Sequence, residues 1–322
     1  MNEPGLITVD AIVLGGGPAG ATAALHLARD GVSVCLVDPL GIGGALINVD
    51  HLPDYPGFPD GIAGWDLAAA LGDQALTAGV TVTMGRAEAP AVDGDRWRVP
   101  VPDAGIVARA RAVLIATGCR PRPLPGDDGT VEGRGVSYCA ACDGALFAGQ
   151  PVVVVGDGLI AFAEARSLAP LAETVTVVMG GDRPSAGAAW VDAVTAFDNT
   201  SLLAGHAVTG LRIGDDGRVV GVVTTSAGQE GHAVGIVGRV DGMVDAVGVF
   251  GALDPLPNSE SFTAVAALDP DGRLPVDGHA VVGAAPGIFA AGDVRARAAG
   301  RAVAAAGDGA GAAAAIVSFL RR

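Results

Sequence analysis

Apolar residues in this chain come in short runs broken by glycine, and the period of the runs alternates along the sequence. Residues 9–14 read as a buried strand, residues 18–29 carry helical spacing, and residues 32–37 read as a second strand. That order predicts a βαβ unit. A second unit of the same kind starts at Pro151, with a strand at 152–155, a glycine turn at 156–158, a helix over 160–168 and a strand over 174–178. Between the two, residues 81–115 hold short β-rich segments broken by Asp93-Gly94 and by residues 100–105. They predict an antiparallel meander that returns to the sheet at 112–116. After an Arg-, Pro- and Gly-rich loop over 118–135 and the second unit, strands resume at 246–251 and 287–291. The latter leads through Gly292-Asp293 into an Ala-rich helix ending near Leu320. The expected fold class is α/β: two Rossmann-like three-layer nucleotide-binding domains, the second inserted into the first. Residues 1–117 and 248–322 form the first and 118–247 the second, with joints near Gly118 and Gly248.

Composition supports this layout. A chain of 322 residues, 50% of them hydrophobic, can bury two sizeable cores. Fifty glycines against 8 Phe, 3 Trp and 2 Tyr suit tight turns and close helix–strand packing better than an aromatic-rich β-sandwich. The net charge of −15 opposes nucleic-acid and anionic membrane partners. All 20 basic residues are Arg, which excludes Schiff-base or general-base chemistry by lysine. Residues 11–27 are apolar but carry Gly15, Gly16, Gly17, Pro18 and Gly20 with no basic region before them. They fit neither a signal peptide nor a membrane span, and a cytoplasmic location is the expectation.

Two motifs carry chemistry. Gly15, Gly17 and Gly20 occupy the Gly-x-Gly-x-x-Gly pattern between a strand and a helix, where glycines let the backbone approach a pyrophosphate at the helix N-terminus. Asp38 ends the following strand and is placed to accept hydrogen bonds from ribose hydroxyls. The second motif is Cys139-Ala-Ala-Cys142-Asp143, whose spacing permits a reversible disulfide. Zinc competes for such spacing, but Cys35 and Cys119 are solitary and no close His cluster completes four ligands, so no metal site is expected.

With these motifs the chain resembles the low-molecular-weight thioredoxin-reductase family of pyridine-nucleotide disulfide oxidoreductases over nearly its whole length. Further matches are Gly43-Gly44, Tyr55-Pro56-Gly57-Phe58, Ala116-Thr117-Gly118, residues 135–144, Pro257-Asn258 and residues 289–294. The resemblance implies FAD in the outer domain, held by Gly15, Gly17, Pro18, Ala19, Gly20, Asp38, Gly43, Gly44, Leu46, Asp54, Ala116, Thr117, Gly118, Gly292, Asp293, Arg301 and Ala302. It also implies a homodimer and two domains that swivel about their joints. In its terms Cys142 faces the flavin, Cys139 exchanges with substrate, and Asp143 acts as acid and base.

The second glycine turn departs from the family. Gly156-Asp157-Gly158-Leu159-Ile160-Ala161 puts a carboxylate where a pyrophosphate would lie and apolar bulk where a polar cap is usual. Met179, Gly180, Gly181 and Ser185 stand where NADPH-using members carry a basic clamp, with only Arg183 nearby. Ala45 and Gly300-Arg301 also differ from the family, where Gln and Arg-Gln are usual. NADPH use is therefore disfavoured, whereas FAD binding is expected. The leading expectation is an enzyme that oxidises a dithiol with dioxygen, as NADPH-independent relatives of natural-product pathways do. Asp143 keeps the reductase form, so the substrate stays open between a small-molecule dithiol and a thioredoxin-like protein. The alternatives are a reductase fed by ferredoxin or by NAD(P)H through an unusual site, and a non-catalytic redox-sensing flavoprotein.

Overall fold

The computed structural model describes residues 5–226, 242–278, 280–282 and 285–322. The chain divides into two compact units, Met1–Arg120 with Pro257–Arg322, and Pro121–Leu256.

In the first unit, Ala11–Leu14 is buried throughout and sits at the centre of a parallel sheet in the order Ile288–Ala290, Ala112–Ile115, Ala11–Leu14, Val34–Asp38, Thr81–Met84. Near-continuous apolar runs are what strands covered on both faces require. One face carries helix Pro18–Arg29, which packs against Ala302–Leu320; Leu27, Ala312, Ala313 and Ile316 share the core with Val13, Leu36 and Leu114. The other face is covered by a four-stranded sheet, Gly5–Thr8, Ile106–Ala110, Arg96–Val101, Ala91–Asp93, which contributes Trp97, Val99 and Ala108 to a second core with Ile12, Leu14 and Ile115. Ala302–Leu320 is long and apolar enough to cross a membrane, but its Ala face lies in this core and Asp308 within it pairs with Arg295.

The second unit repeats the plan. Its parallel sheet runs Val136–Ser137, Gly248–Gly251, Pro151–Val155, Thr174–Val178, Thr200–Leu203. Helices Leu159–Leu168 and Ala188–Thr195 cover one face, and the antiparallel strands His206–Ile213, Val219–Ser226 and Gly242–Asp245 cover the other.

Three features differ from the sequence-based expectation. Thr81–Met84 belongs to the parallel sheet rather than to the meander, because Thr81 to Met84 pair with Cys35 to Asp38. The meander gains the parallel strand Gly5–Thr8. Gly248 is not a joint: it begins a strand paired on both sides inside the second unit. The return to the first unit falls at Leu256–Pro257, which forms a two-stranded sheet with Cys119–Arg120, directly after Gly118.

Candidate active site

The C-terminal ends of four parallel strands in the first unit converge on one cradle, the place where open α/β sheets bind ligands. The turn after Ala11–Leu14 demands glycine. Gly15 takes φ 107°, and a Cβ on Gly20 would lie 1.9 Å from the Gly15 carbonyl oxygen, so the helix seats directly on the turn. Gly17 caps helix Pro18–Arg29 without a side-chain bond to its first turn, and Pro18 occupies the first position, where a missing N–H costs nothing. Ala19 and Gly20 follow, both buried. The first-turn N–H groups are left for an anion. At Gly17 the nearest atom to an ideal Cβ is 3.9 Å away, so this side of the turn is open.

Asp38 ends the next strand and does more than the sequence suggested. Its Oδ2 accepts from the Gly16 N–H at 2.8 Å and its Oδ1 from the Leu40 N–H at 2.8 Å, which ties strand to turn while leaving lone pairs on both oxygens. Gly43 donates its N–H to the Gly16 carbonyl at 2.9 Å, and Gly44 opens a short 3₁₀ turn, Gly44–Asn48. Leu46 in that turn is buried with Leu67 and Ala68, and Ala302 packs against them; Arg301 beside it ion-pairs with Asp54.

The strand Ala112–Ile115 delivers Ala116, Thr117 and Gly118. Asn258 locks them in place: the Thr117 hydroxyl donates to its carbonyl at 2.7 Å, its side-chain amide donates to the Thr117 carbonyl at 2.9 Å, and its N–H donates to the Gly118 carbonyl at 2.9 Å. The sequence motif alone points to Pro257-Asn258 without a role for the asparagine, since its bonds across 141 residues have no local signal. After Ile288–Ala290 come Gly292 and Asp293. Burial pushes the Asp293 carboxyl above its ordinary range, partly offset by the Arg273 guanidinium, while neighbouring Asp308 adds to the rise. Arg295 clamps Asp308 with bonds of 2.6 and 2.7 Å, and the Gly292 N–H donates to Asp308 at 3.3 Å. Open turn, uncapped helix start and strand-end carboxylate fit an extended dinucleotide such as FAD.

In the second unit Cys139 and Cys142 form a disulfide with their Cα atoms 5.3 Å apart. Cys139 caps the helical turn Ala140–Asp143, and its Sγ accepts the Cys142 N–H at 3.1 Å. Ser137, at the end of a strand, organises the turn. Its Oγ donates to Asp143 Oδ2 at 2.7 Å and accepts the Cys139 N–H at 3.1 Å. Glu164, from helix Leu159–Leu168, accepts the Ala140 N–H. Neither Ser137 nor Glu164 was singled out from the sequence, although a lone acid among the apolar residues 159–165 was a visible signal. Cys139 is only 8% exposed and Cys142 is exposed, the reverse of what an exchanging Cys139 leads one to expect. The capping geometry tucks the Cys139 sulfur under its own turn.

The second glycine turn is closed by the chain itself. Ser185 Oγ donates to Asp157 Oδ1 at 3.0 Å, and the N–H groups of Ser185 and Ala186 donate to the Asp157 carbonyl at 2.9 and 3.1 Å.

Two Rossmann-like units, one with a glycine cradle and one with a two-residue-spaced disulfide, define a flavin-dependent disulfide oxidoreductase resembling thioredoxin reductase. Residues 9–309 match the family model described as pyridine nucleotide-disulphide oxidoreductase, and the chain belongs to that family. It is 34% identical over 304 residues to a thioredoxin reductase of Mycolicibacterium smegmatis, covering 93% of each chain. Among solved structures, the thioredoxin reductase of Lactococcus lactis superposes with a TM-score of 0.88 at 28% identity, over 97% of this chain and 99% of that one. That of T. acidophilum gives 0.86 at 27% identity, over 97% and 98%.

Proposed function

We propose that this enzyme cycles Cys139–Cys142 between disulfide and dithiol without NADPH, taking electrons from a substrate dithiol and delivering them to dioxygen. The observation that carries the reading is Asp157, a carboxylate in the second glycine turn held by Ser185. It opposes a pyrophosphate, and Met179, Gly180 and Gly181 supply no cation for a 2′-phosphate. Losing charge-assisted bonds of about 1.5–3 kcal/mol each weakens NADPH by orders of magnitude.

In the proposed cycle a substrate thiolate attacks the enzyme disulfide, and the second substrate thiol releases the first sulfur as the substrate disulfide closes. The enzyme pair is left as a dithiol. FAD, held by the residues of the first-unit cradle, supplies two-electron chemistry, with dioxygen as final acceptor and hydrogen peroxide as product. Asp143, fixed by Ser137, moves protons at the sulfurs. Exchange at Cys139, the role implied by the family resemblance, goes with opening of its capping turn. In a Cys142→Ser variant the free Cys139 thiolate then attacks the disulfide form of the substrate and holds it as a mixed disulfide; trapping by Cys139→Ser instead reverses the order.

A second reading is favoured by the relatives named thioredoxin reductase and by Asp143, which keeps the reductase form. In it the partner is the disulfide of a thioredoxin-like protein and electrons run the other way. One experiment separates the two: mix the yellow protein anaerobically with NADPH, NADH or dithiothreitol and follow the visible flavin absorbance. Bleaching by dithiothreitol alone supports the oxidase. Rapid bleaching by either nicotinamide overturns it and returns the protein to the reductases.

A further inference from the structure

The cysteine turn has an acidic neighbour that the proposed cycle does not use. Glu164 lies on Leu159–Leu168, which packs against Ala140–Asp143, and its carboxylate accepts the N–H of Ala140, the residue that follows Cys139. Glu164 thus reaches the cysteine turn through the backbone between the two sulfurs. The elements around it offer little to neutralise it. The cysteine turn contributes Cys139, Cys142 and Asp143; helix Ala188–Thr195 contributes Asp192; strands Pro151–Val155 and Thr174–Val178 contribute no titratable side chain; Arg166 lies on its own helix two residues away. Burial is the main influence on the carboxyl and pushes it up to about 7, opposed by the Ala140 N–H. A group in that range changes charge under ordinary working conditions, one backbone hydrogen bond away from the turn whose sulfurs change charge when reduced.

We propose that Glu164 is a positioning residue for the Cys139–Cys142 pair: it fixes the backbone at Ala140, and its charge opposes a thiolate on the adjacent sulfur, so that reduction is coupled to protonation of Glu164. The inference rests on the reading of the pair as a cycling disulfide. The balance is closed. A donor dithiol gives two electrons that break the Cys139–Cys142 S–S bond and becomes a disulfide itself. Its two protons pass to the enzyme. One protonates a cysteine sulfur, and the other either protonates the second sulfur or, where that sulfur stays a thiolate, resides on Glu164.

Glu164→Gln keeps an oxygen that accepts the Ala140 N–H and removes only the charge, so a purely structural role predicts no change. The test reduces the flavin-loaded protein with dithiothreitol, desalts it anaerobically, and follows iodoacetamide alkylation of Cys139 and Cys142 by mass spectrometry from pH 5 to 9. The pH profile of the more reactive sulfur in Glu164→Gln is expected to shift down by about one unit relative to wild type. At pH 7 its alkylation is expected to be about threefold faster, since a roughly tenfold gain in thiolate is partly offset by the lower nucleophilicity of a more acidic thiol. Superimposable profiles overturn the proposal. A second measurement needs no variant: infrared difference spectra of wild type with isotope-labelled glutamate show a protonated carboxyl gained on reduction at pH 7.5, and its absence also overturns the proposal. If dithiothreitol does not reduce the pair at all, the cycling-disulfide reading fails first. A reducible pair with an unchanged profile removes only the role of Glu164.

Discussion

The two glycine turns sit after the central strand of two parallel sheets built to the same plan, yet they have diverged in opposite ways. Gly15 and Gly156 both take positive φ, and a Cβ on either would meet a carbonyl oxygen at 2.3 or 2.2 Å, that of Ala116 or Ala252. Gly17 and Gly158 both cap the following helix in extended conformation without a side-chain bond. Backbone geometry is shared, and chemistry is not. In the first turn the N–H of the middle residue, Gly16, is held by a carboxylate from the next strand, which leaves the turn itself neutral and open. In the second turn the middle residue is the carboxylate, Asp157, and the chain folds Ser185 onto it. The backbone form of the turn seats a helix on a sheet in both units, independently of the charge its middle residue carries.

The largest effect that separates the turns is at their third small residue. Gly20 has no room for a Cβ, whereas the equivalent Ala161 is accommodated with no solvent exposure. Gly20→Ala forces backbone against backbone. It is expected to destabilise the first unit by at least about 3 kcal/mol and to yield colourless protein. The mirror change Ala161→Gly is expected to cost about 2 kcal/mol, about 1 from helix propensity and about 1 from the lost buried methyl, and to leave the flavin bound. Chemical unfolding and the flavin spectrum check both. Equal losses in the two variants would mean that the helices are seated alike and the comparison is wrong.

A smaller effect isolates a feature of the second unit, a half-buried acid bonded to its cysteine turn. Because burial raises the Glu164 carboxyl from its ordinary 4.5 to about 7, the folded state holds a proton that the unfolded state releases in this window. The stability from that bound proton is complete below 4.5, falls as pH rises, and is gone above about 7. Glu164→Gln carries no such titration. It is expected to match wild type at pH 4.5 and to exceed it at pH 8, by on the order of 2 kcal/mol. Urea midpoints at the two pH values measure the difference, and a constant offset between the proteins would remove the buried titration.

What could be read from the sequence follows the same division. Local pattern announced Pro18–Arg29, Thr174–Val178, the glycine cradle and the cysteine spacing, because each is a matter of period or of residues a few positions apart. The antiparallel strand His206–Ile213 carries mixed burial rather than clean alternation and was not anticipated. The parallel strand Gly5–Thr8 is short and mostly exposed, and its partner Ile106–Ala110 lies about a hundred residues on. Asn258 and Glu164 gain meaning only when long-range pairing brings them to Thr117 and Ala140. The second joint was misplaced because an apolar strand such as Gly248–Gly251 suits either sheet by composition, and only its register with Val152–Val155 assigns it.

The smallest effect bears most directly on function. Asp157→Gly removes one part-exposed carboxylate and its bond to Ser185, which is expected to change stability by no more than about 1 kcal/mol. By itself it restores no cation, so NADPH should still fail to bleach the flavin. Arginines at Gly180 and Gly181 alone should fail as well, for a reason the geometry supplies. A Cβ on Gly181 would stand 3.4 Å from Asp157 Oδ2, so an arginine there has a carboxylate partner at hand before any phosphate arrives. Only the combination of Asp157→Gly, Gly180→Arg and Gly181→Arg frees the guanidinium groups to meet a 2′-phosphate. Stopped-flow bleaching by NADPH in the triple variant, absent from the single and double ones, is the expected result. Equal bleaching in Asp157→Gly alone would show that the carboxylate was the whole barrier and the missing basic clamp incidental.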